Sequence, residues 1–241
     1  LSQDALKCTT LAFELIPSVA VGNVGQLTCD LLISSLNMVK IASVYSIALI
    51  PVLGYDPYDL NSPTLSSCCE IYKCDIRKLI VLQLRAPLVL KYARTFLNDV
   101  VEKFREKNIQ DIVILTSSFA HEKKHISSSP FRYVANELSL YKKNVNTLNW
   151  LEHESSNSAL KIYGGGFASL LYEIILHHSI PCLILYKYSS EGNNIPDAYE
   201  MVNCLASLLP IFSEKKDIVS QLVQPASWKL LFGRPPPIDI Y

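Results

Sequence analysis

Residues 18–42 read SVAVGNVGQLTCDLLISSLNMVKIA, and this stretch shows the alternation of strand and helix patterns that decides the fold. The run 18–22 is short and rich in Val, which favours a β-strand that ends in a glycine turn. Asn23 is a typical N-cap, and apolar residues then recur at helical spacing through about Leu36. A second run with β-branched residues follows at 40–46. The stretch therefore predicts a strand, a helix and a second strand in succession.

The same alternation continues along the chain. Apolar runs predict further strands, and amphipathic patterns predict further helices. The strands are expected at 78–85, 111–117 and 181–188, with a further strand that runs into a turn over 160–166. The helices are expected at 92–107, 167–177 and 196–209. Residues 118–150 are polar and irregular, so we expect a long excursion there with at most one helix.

This pattern predicts an α/β fold, a three-layer sandwich with a mainly parallel central sheet flanked by helices. We expect a single domain over residues 1–233 and an extended, Pro-rich C-terminal tail that projects over residues 234–241.

Composition excludes several classes of protein. The 241 residues include 22 basic and 22 acidic side chains, without a basic block, so a nucleic-acid partner is not expected. The apolar stretch 41–54 is shorter than the roughly 20 residues that span a bilayer, and Pro51 interrupts it. We interpret it as a buried strand region and expect no membrane partner. Seven cysteines without a C-x-x-C pair predict reduced thiols in the cytosol or nucleus.

The segment His121-Glu122-Lys123-Lys124-His125 fits the H-E-x-x-H pattern of zinc proteases. In that pattern two histidines four apart on a helix hold zinc, and the glutamate activates a metal-bound water. Here a buried strand precedes the segment, Pro130 closes it soon afterwards, and no third ligand follows at a known spacing. We therefore interpret it as a polar loop, and we predict neither a metal nor a catalytic residue.

Two glycine turns open predicted helices, at Gly22–Gly25 and at Gly164–Gly166. Backbone amides of such turns can bind phosphate, although neither turn is a P-loop or a dinucleotide-binding fingerprint. A phosphorylase-like or hydrolase-like enzyme built around the two turns is the alternative function. It requires both turns to face an open pocket. No set of catalytic or cofactor-binding residues is nominated for it.

The C-terminus has a different character. Pro235, Pro236 and Pro237 form a stiff polyproline spacer with a rise of about 3.1 Å per residue. Ile238-Asp239-Ile240-Tyr241 follow it. Apolar and aromatic groups beside a terminal carboxylate are suited to fill a pocket on another protein. The sequence thus predicts a tail that binds a partner, and the alternative is a frayed terminus with incidental aromatic residues.

Several long blocks resemble the PAC2 family of proteasome assembly chaperones. The blocks occur in family order over most of the chain: SVAVGNVGQLTCDLLISSLNMVKIA, KLIVLQLRAPLV, SPFRY, YGGG, EGNNIPDA and SWKLLFG. The resemblance implies an α/β sandwich without enzymatic activity and without a cofactor. It implies a heterodimer with a homologous partner, proteasome assembly chaperone 1, in the cytoplasm and nucleus. That pair would help the α-subunits of the 20S core form their ring and would occupy the outer face of the ring.

The resemblance also implies a role for the tail. In some family members the tail ends in a hydrophobic residue, a Tyr and any residue, and it inserts between adjacent α-subunits. Ile240 and Tyr241 are the matching positions here, and no residue follows Tyr241, so the place of the terminal carboxylate is left open. Together with Ile238 they are the predicted partner-binding residues for the α-ring pocket.

Overall fold

The computed structural model describes residues 13–107, 109, 111–145, 148, 150–154, 159–212 and 217–230. The strands are β1 (Phe13–Pro17), β2 (Val39–Ser43), β3 (Leu53–Tyr55), β4 (Leu65–Ser67), β5 (Cys69–Cys74), β6 (Leu79–Leu84), β7 (Ile112–Phe119), β8 (Phe131–Ala135), β9 (Leu151–Glu152) and β10 (Cys182–Ser189). The helices are α1 (Val24–Ser35), α2 (Leu90–Glu106), α3 (Lys142–Val145), α4 (Ala168–His177) and α5 (Ile195–Leu208).

Eight strands form one mixed sheet in the order β2-β5-β6-β1-β7-β10-β8-β9. Its four central strands, β6, β1, β7 and β10, run parallel to one another. Towards the two edges, β2, β5 and β8 pair antiparallel to their inner neighbours, while β9 runs parallel to β8. The expectation of a mostly parallel sheet therefore holds at the centre, and antiparallel strands extend it on both sides. β3 and β4 form a separate two-stranded hairpin.

Helices cover both faces of the large sheet. Helices α2 and α4 pack on one face and α1 and α5 on the other, each above its own buried apolar cluster. The central strands are buried on both faces, and for this reason their sequences are apolar without alternation. The predicted division into a domain over residues 1–233 and a tail over residues 234–241 stays a prediction, because the boundary lies outside the described residues.

Two predicted strands are wrong. The first strand lies at Phe13–Pro17, five residues before the predicted run 18–22. Gly22 and Asn23 both have left-handed backbones, at φ values of 65° and 53°, which bend the chain where a strand would need extended residues. The Asn23 side chain makes no capping hydrogen bond, so its importance lies in this bend. Within residues 160–166 the predicted turn is present, with left-handed backbones at Gly164 and Gly166, but the strand predicted to lead into it is absent.

The segment 41–54 differs from its interpretation as a buried strand region. Only its two ends are strand: residues 41–43 belong to β2, an edge strand of the sheet, and residues 53–54 belong to β3. Within the segment, Ala48 and Leu49 are buried, whereas most of the other large apolar side chains face solvent. In the part of the chain that is described, we find no helix of the length and apolar character needed to cross a membrane. Ile238, Ile240 and Tyr241 lie outside the described residues.

Candidate functional site

The two glycine turns meet each other at the carboxyl edge of the central strands. The amide of Val21 donates to the carbonyl of Gly164 at 2.9 Å. The hydroxyls of Ser18 and Thr116 both donate to the carbonyl of Gly165, at 2.8 and 3.0 Å. The turns are thus joined to one another and to β7, so they do not surround an open pocket.

Steric contact explains why glycine occupies these corners. A Cβ at Gly166 would lie 2.1 Å from the carbonyl oxygen of Val19, and a Cβ at Gly25 would lie 2.5 Å from that of Leu115. A Cβ at Gly22 would meet the side chain of Asn194 at 2.5 Å. Three of the sequence blocks therefore converge here for close packing, and the enzyme that was predicted as the alternative loses the open phosphate site on which it depended.

The His121–His125 segment lies beside this edge and has no helix to carry it. Ala120–Glu122 form a single 3-10 turn, after which the chain extends. His121 stacks on Phe119 with ring centroids 5.1 Å apart and points into solvent. Among the residues that the structure describes, no group of three or more His, Cys, Asp or Glu side chains is placed to hold a metal ion.

A polar cavity of about 140 Å³ opens where this segment approaches the carboxyl ends of β7 and β10. This is the edge at which α/β sheets usually bind ligands. The lining contains three cationic, two acidic, two imidazole and three phenol side chains. They are Lys124, Arg132, Lys161, Glu122, Glu154, His125, His153, Tyr163, Tyr186 and Tyr188.

A hydrogen-bonded aromatic pair forms the floor of the cavity. Nδ1 of His153 lies 2.7 Å from the hydroxyl of Tyr186, whose ring also packs against that of Tyr188. Burial lowers the pKa of His153, so its ring is neutral at neutral pH. Burial also raises the pKa of Tyr186 and keeps its phenol protonated. At the rim, Lys124 binds Glu154 at 3.0 Å.

A second candidate site is an exposed apolar surface along the β2 side of the sheet. It consists of the large apolar side chains between β2 and β4, and we name it the apolar edge. Its members are Tyr45, Ile47, Ile50, Val52, Leu53, Tyr55, Leu60 and Leu65. Tyr45, Ile47 and Tyr55 are 79%, 75% and 80% exposed. Isolated apolar residues at a surface are ordinary, but a concentrated set of this kind marks a site of protein association.

A buried ionic network anchors the loop of the β3–β4 hairpin. Arg85 binds Asp30 through both terminal nitrogens, at 2.9 and 3.2 Å. Tyr58, in the loop that joins β3 to β4, donates its hydroxyl to the same carboxylate at 2.6 Å. The amide of Ser227 donates to the carbonyl of Pro57 at 3.0 Å, so the C-terminal part of the described chain lies against this loop.

Sequence reasoning missed both of these sites. The cavity joins side chains from five separate segments. The His121–His125 segment and the SPFRY and YGGG blocks were noticed in the sequence and contribute to it, but nothing local indicated that they meet. The apolar edge was visible as an apolar run, but the run alone does not distinguish a core from an interface.

Comparison with known proteins gives a consistent result. The sequence model of the PAC2 family matches residues 15–213. The chain is 37% identical to mouse proteasome assembly chaperone 2, over 91% of this chain and 90% of the relative, and 35% identical to the human protein over the same shares. Its fold is similar to that of Pyrococcus furiosus PbaA, an archaeal homolog of proteasome-assembly chaperone. The TM-score is 0.67 at 14% identity, over 88% of this chain and 87% of the other.

Proposed function

The chain belongs to the PAC2 family, and we propose that it is a proteasome assembly chaperone that acts by binding other proteins and not by catalysis. It forms a heterodimer with the homologous proteasome assembly chaperone 1 in the cytoplasm and nucleus. The pair promotes formation of the α-ring of the 20S core and occupies its outer face. The tail residues Ile238, Ile240 and Tyr241 insert in a pocket between α-subunits.

The apolar edge is the observation that carries this proposal. In the β3–β4 hairpin, Leu53 and Tyr55 are exposed, and Leu65 is exposed opposite Tyr55. Ser66 and Ser67 in the same hairpin are buried. This inverts the usual pattern of a half-buried sheet, in which apolar side chains face inward. The inversion is explained if a second protein covers the hairpin, and we assign the apolar edge to the chaperone partner.

The edge position of β2 supports the same assignment. Strand β2 pairs only with β5 within the described sheet, so its other edge has no strand partner there. An open edge strand beside exposed apolar groups is a hazard for aggregation unless a partner covers it. A permanent partner removes that hazard and buries apolar area at the same time.

Variants at the two edges of the sheet test the proposal. Leu53→Asp places a charge in the apolar edge. Ile126→Asp is the matched control, because Ile126 is also exposed but precedes β8 at the opposite side of the sheet. With the tagged protein, native mass spectrometry is expected to detect a homologous chain of similar size together with proteasome α-subunits. Leu53→Asp should remove the homologous chain, and Ile126→Asp should retain it.

Two results would contradict the proposal. If the unmodified protein purifies with neither a homologous chain nor α-subunits, the chaperone function itself is wrong. If it purifies with both and Leu53→Asp retains them as well as Ile126→Asp does, the function stands and the assignment of the apolar edge is wrong.

A further inference from the structure

We propose that the polar cavity at the carboxyl ends of β7 and β10 binds the phosphate group of a small molecule. The site is separate from the apolar edge, which lies on the other side of the sheet. The inference therefore does not depend on the proposed function.

The buried guanidinium of Arg132 is the principal observation. Arg132 is 5% exposed and lines the cavity. Its terminal nitrogens donate to the carbonyl oxygens of Ser129 and Phe131, at 2.6 and 2.9 Å, and to the hydroxyl of Ser128 at 3.1 Å. All three acceptors are neutral. Within the described part of the chain, no carboxylate forms an ion pair with this guanidinium, and Glu154, whose pKa its charge helps to lower, is bound directly by Lys124 instead. A buried charge without a direct counter-charge is costly.

Packing holds Arg132 in place for a ligand. On β8 it pairs with Tyr186 of β10, and its guanidinium carbon lies 5.3 Å from the ring centroid of Tyr188. The three hydrogen bonds and the ring contact fix the plane of the guanidinium before anything binds. A preorganised guanidinium loses little conformational freedom on binding, and its geometry matches that of an oxyanion.

The remaining charges around the cavity favour an anion. Lys124, Arg132 and Lys161 carry three positive charges against two negative charges on Glu122 and Glu154, so the lining is positive by one. Because Lys124 already binds Glu154, Arg132 and Lys161 are the cations that face the ligand. His125 lines the same space and adds a further hydrogen-bonding ring.

A phosphate fits this lining better than a simple carboxylate. A doubly charged tetrahedral group can accept from a guanidinium, an ammonium and a phenol at once, which a planar carboxylate does less completely. Tyr163 and Tyr188 supply aromatic surface beside the cations. A phosphate monoester that carries an aromatic group would use both features, so phenyl phosphate should bind more tightly than inorganic phosphate.

Calorimetric titration of the full chain tests the site at constant ionic strength set with sodium chloride. Inorganic phosphate, phenyl phosphate and acetate are the probes. Lys161→Ala removes a cation of the lining, and Lys143→Ala removes an exposed cation from outside it. We expect saturable binding of both phosphates, about tenfold weaker in Lys161→Ala and unchanged in Lys143→Ala.

Arg132→Gln should abolish phosphate binding, and circular dichroism checks that this variant remains folded. If it does not fold, Lys161→Ala alone decides. The proposal is overturned if the unmodified chain shows no saturable heat with either phosphate. It is also overturned if acetate binds as tightly as phosphate, or if Lys161→Ala binds as the unmodified chain does.

Discussion

Glu14 lies on β1 in the centre of the sheet, and its carboxyl group is fully buried. Within the described residues, neither of its carboxyl oxygens has a hydrogen-bond partner. Burial raises the pKa of Glu14 well above its ordinary value, because the charged form is poorly solvated there. An acid whose pKa is raised in the folded state contributes most to the free energy of unfolding at pH values below its unfolded-state pKa. That contribution is lost as the pH rises towards its folded-state pKa.

We predict that Glu14→Leu raises the free energy of unfolding at pH 8 by about 1 to 3 kcal/mol, since it removes unpaired buried oxygens. Glu14→Gln is the control, because it keeps unpaired polar atoms but cannot ionise. It should reduce the pH dependence without the full gain in stability. Urea unfolding at pH 5 and pH 8 measures both. Loss of stability in Glu14→Leu at both pH values would show that the carboxyl group is required by the fold.

Asp111 is a second buried acid, at the start of β7. One of its oxygens accepts from the Ser139 hydroxyl at 3.0 Å and from the Leu140 amide at 2.9 Å. Burial raises the pKa of Asp111 to about 6, and these hydrogen bonds oppose the rise without cancelling it. Stability should therefore fall as the pH rises from about 4 to 6, by at most about 3 kcal/mol.

Asp111→Asn should remove that decrease while keeping an oxygen to accept both hydrogen bonds. Thermal unfolding of the variant and the unmodified chain between pH 4 and pH 7 provides the measurement. Parallel curves for the two proteins over this range would contradict the assignment to Asp111.

At the scale of elements, close packing restricts the sequence most where the glycine turns at Gly22–Gly25 and Gly164–Gly166 meet. Gly166 has a left-handed backbone, and a Cβ there would lie 2.1 Å from the Val19 carbonyl oxygen. We predict that Gly166→Ala destabilises the protein by about 3 kcal/mol or more, through strain and steric conflict together. Gly54→Ala is the matched control, because a Cβ at Gly54 meets nothing within 4 Å. Chemical denaturation should show almost no change for Gly54→Ala, and equal losses in the two variants would contradict the role of close packing.

The helices were predictable from sequence because each buries one regular stripe. Helix α2 was expected at 92–107 and spans Leu90–Glu106, and α5 was expected at 196–209 and spans Ile195–Leu208. Strand β1 was missed because Glu14 places a charge in a buried strand, against the usual pattern. Strand β8 lies inside the polar stretch 118–150 and the edge strand β9 directly follows it. Their pairing partners are distant in sequence, so no local signal placed them.

At the scale of the whole molecule, the apolar edge and the last described residues of the chain lie on one side. Leu230 is the last described residue, and Ser227, three residues earlier, is hydrogen-bonded to Pro57 in the loop of the β3–β4 hairpin. Trp228 is buried in the apolar cluster beneath α1 and α5. Its burial fixes the last described residues to the domain. A partner on the apolar edge would therefore sit beside residues 227–230, the end of the described chain. This arrangement suits a pair of chaperones that approach one ring together.

A deletion experiment should distinguish the binding role of the tail from that of the apolar edge. We predict that removal of Ile240 and Tyr241 leaves the melting temperature unchanged, because the described apolar clusters contain no residue beyond Trp228. Binding to assembled α-rings should weaken at least roughly 30-fold, which is about 2 kcal/mol and typical of a buried aromatic anchor. Binding of the deletion variant to the partner chaperone should stay at the level of the unmodified chain. The Leu53→Asp variant, which keeps the tail, should instead lose its binding to the partner chaperone. Surface plasmon resonance with isolated α-rings and with the partner gives both affinities. Unchanged binding to α-rings after the deletion would remove the tail from the mechanism.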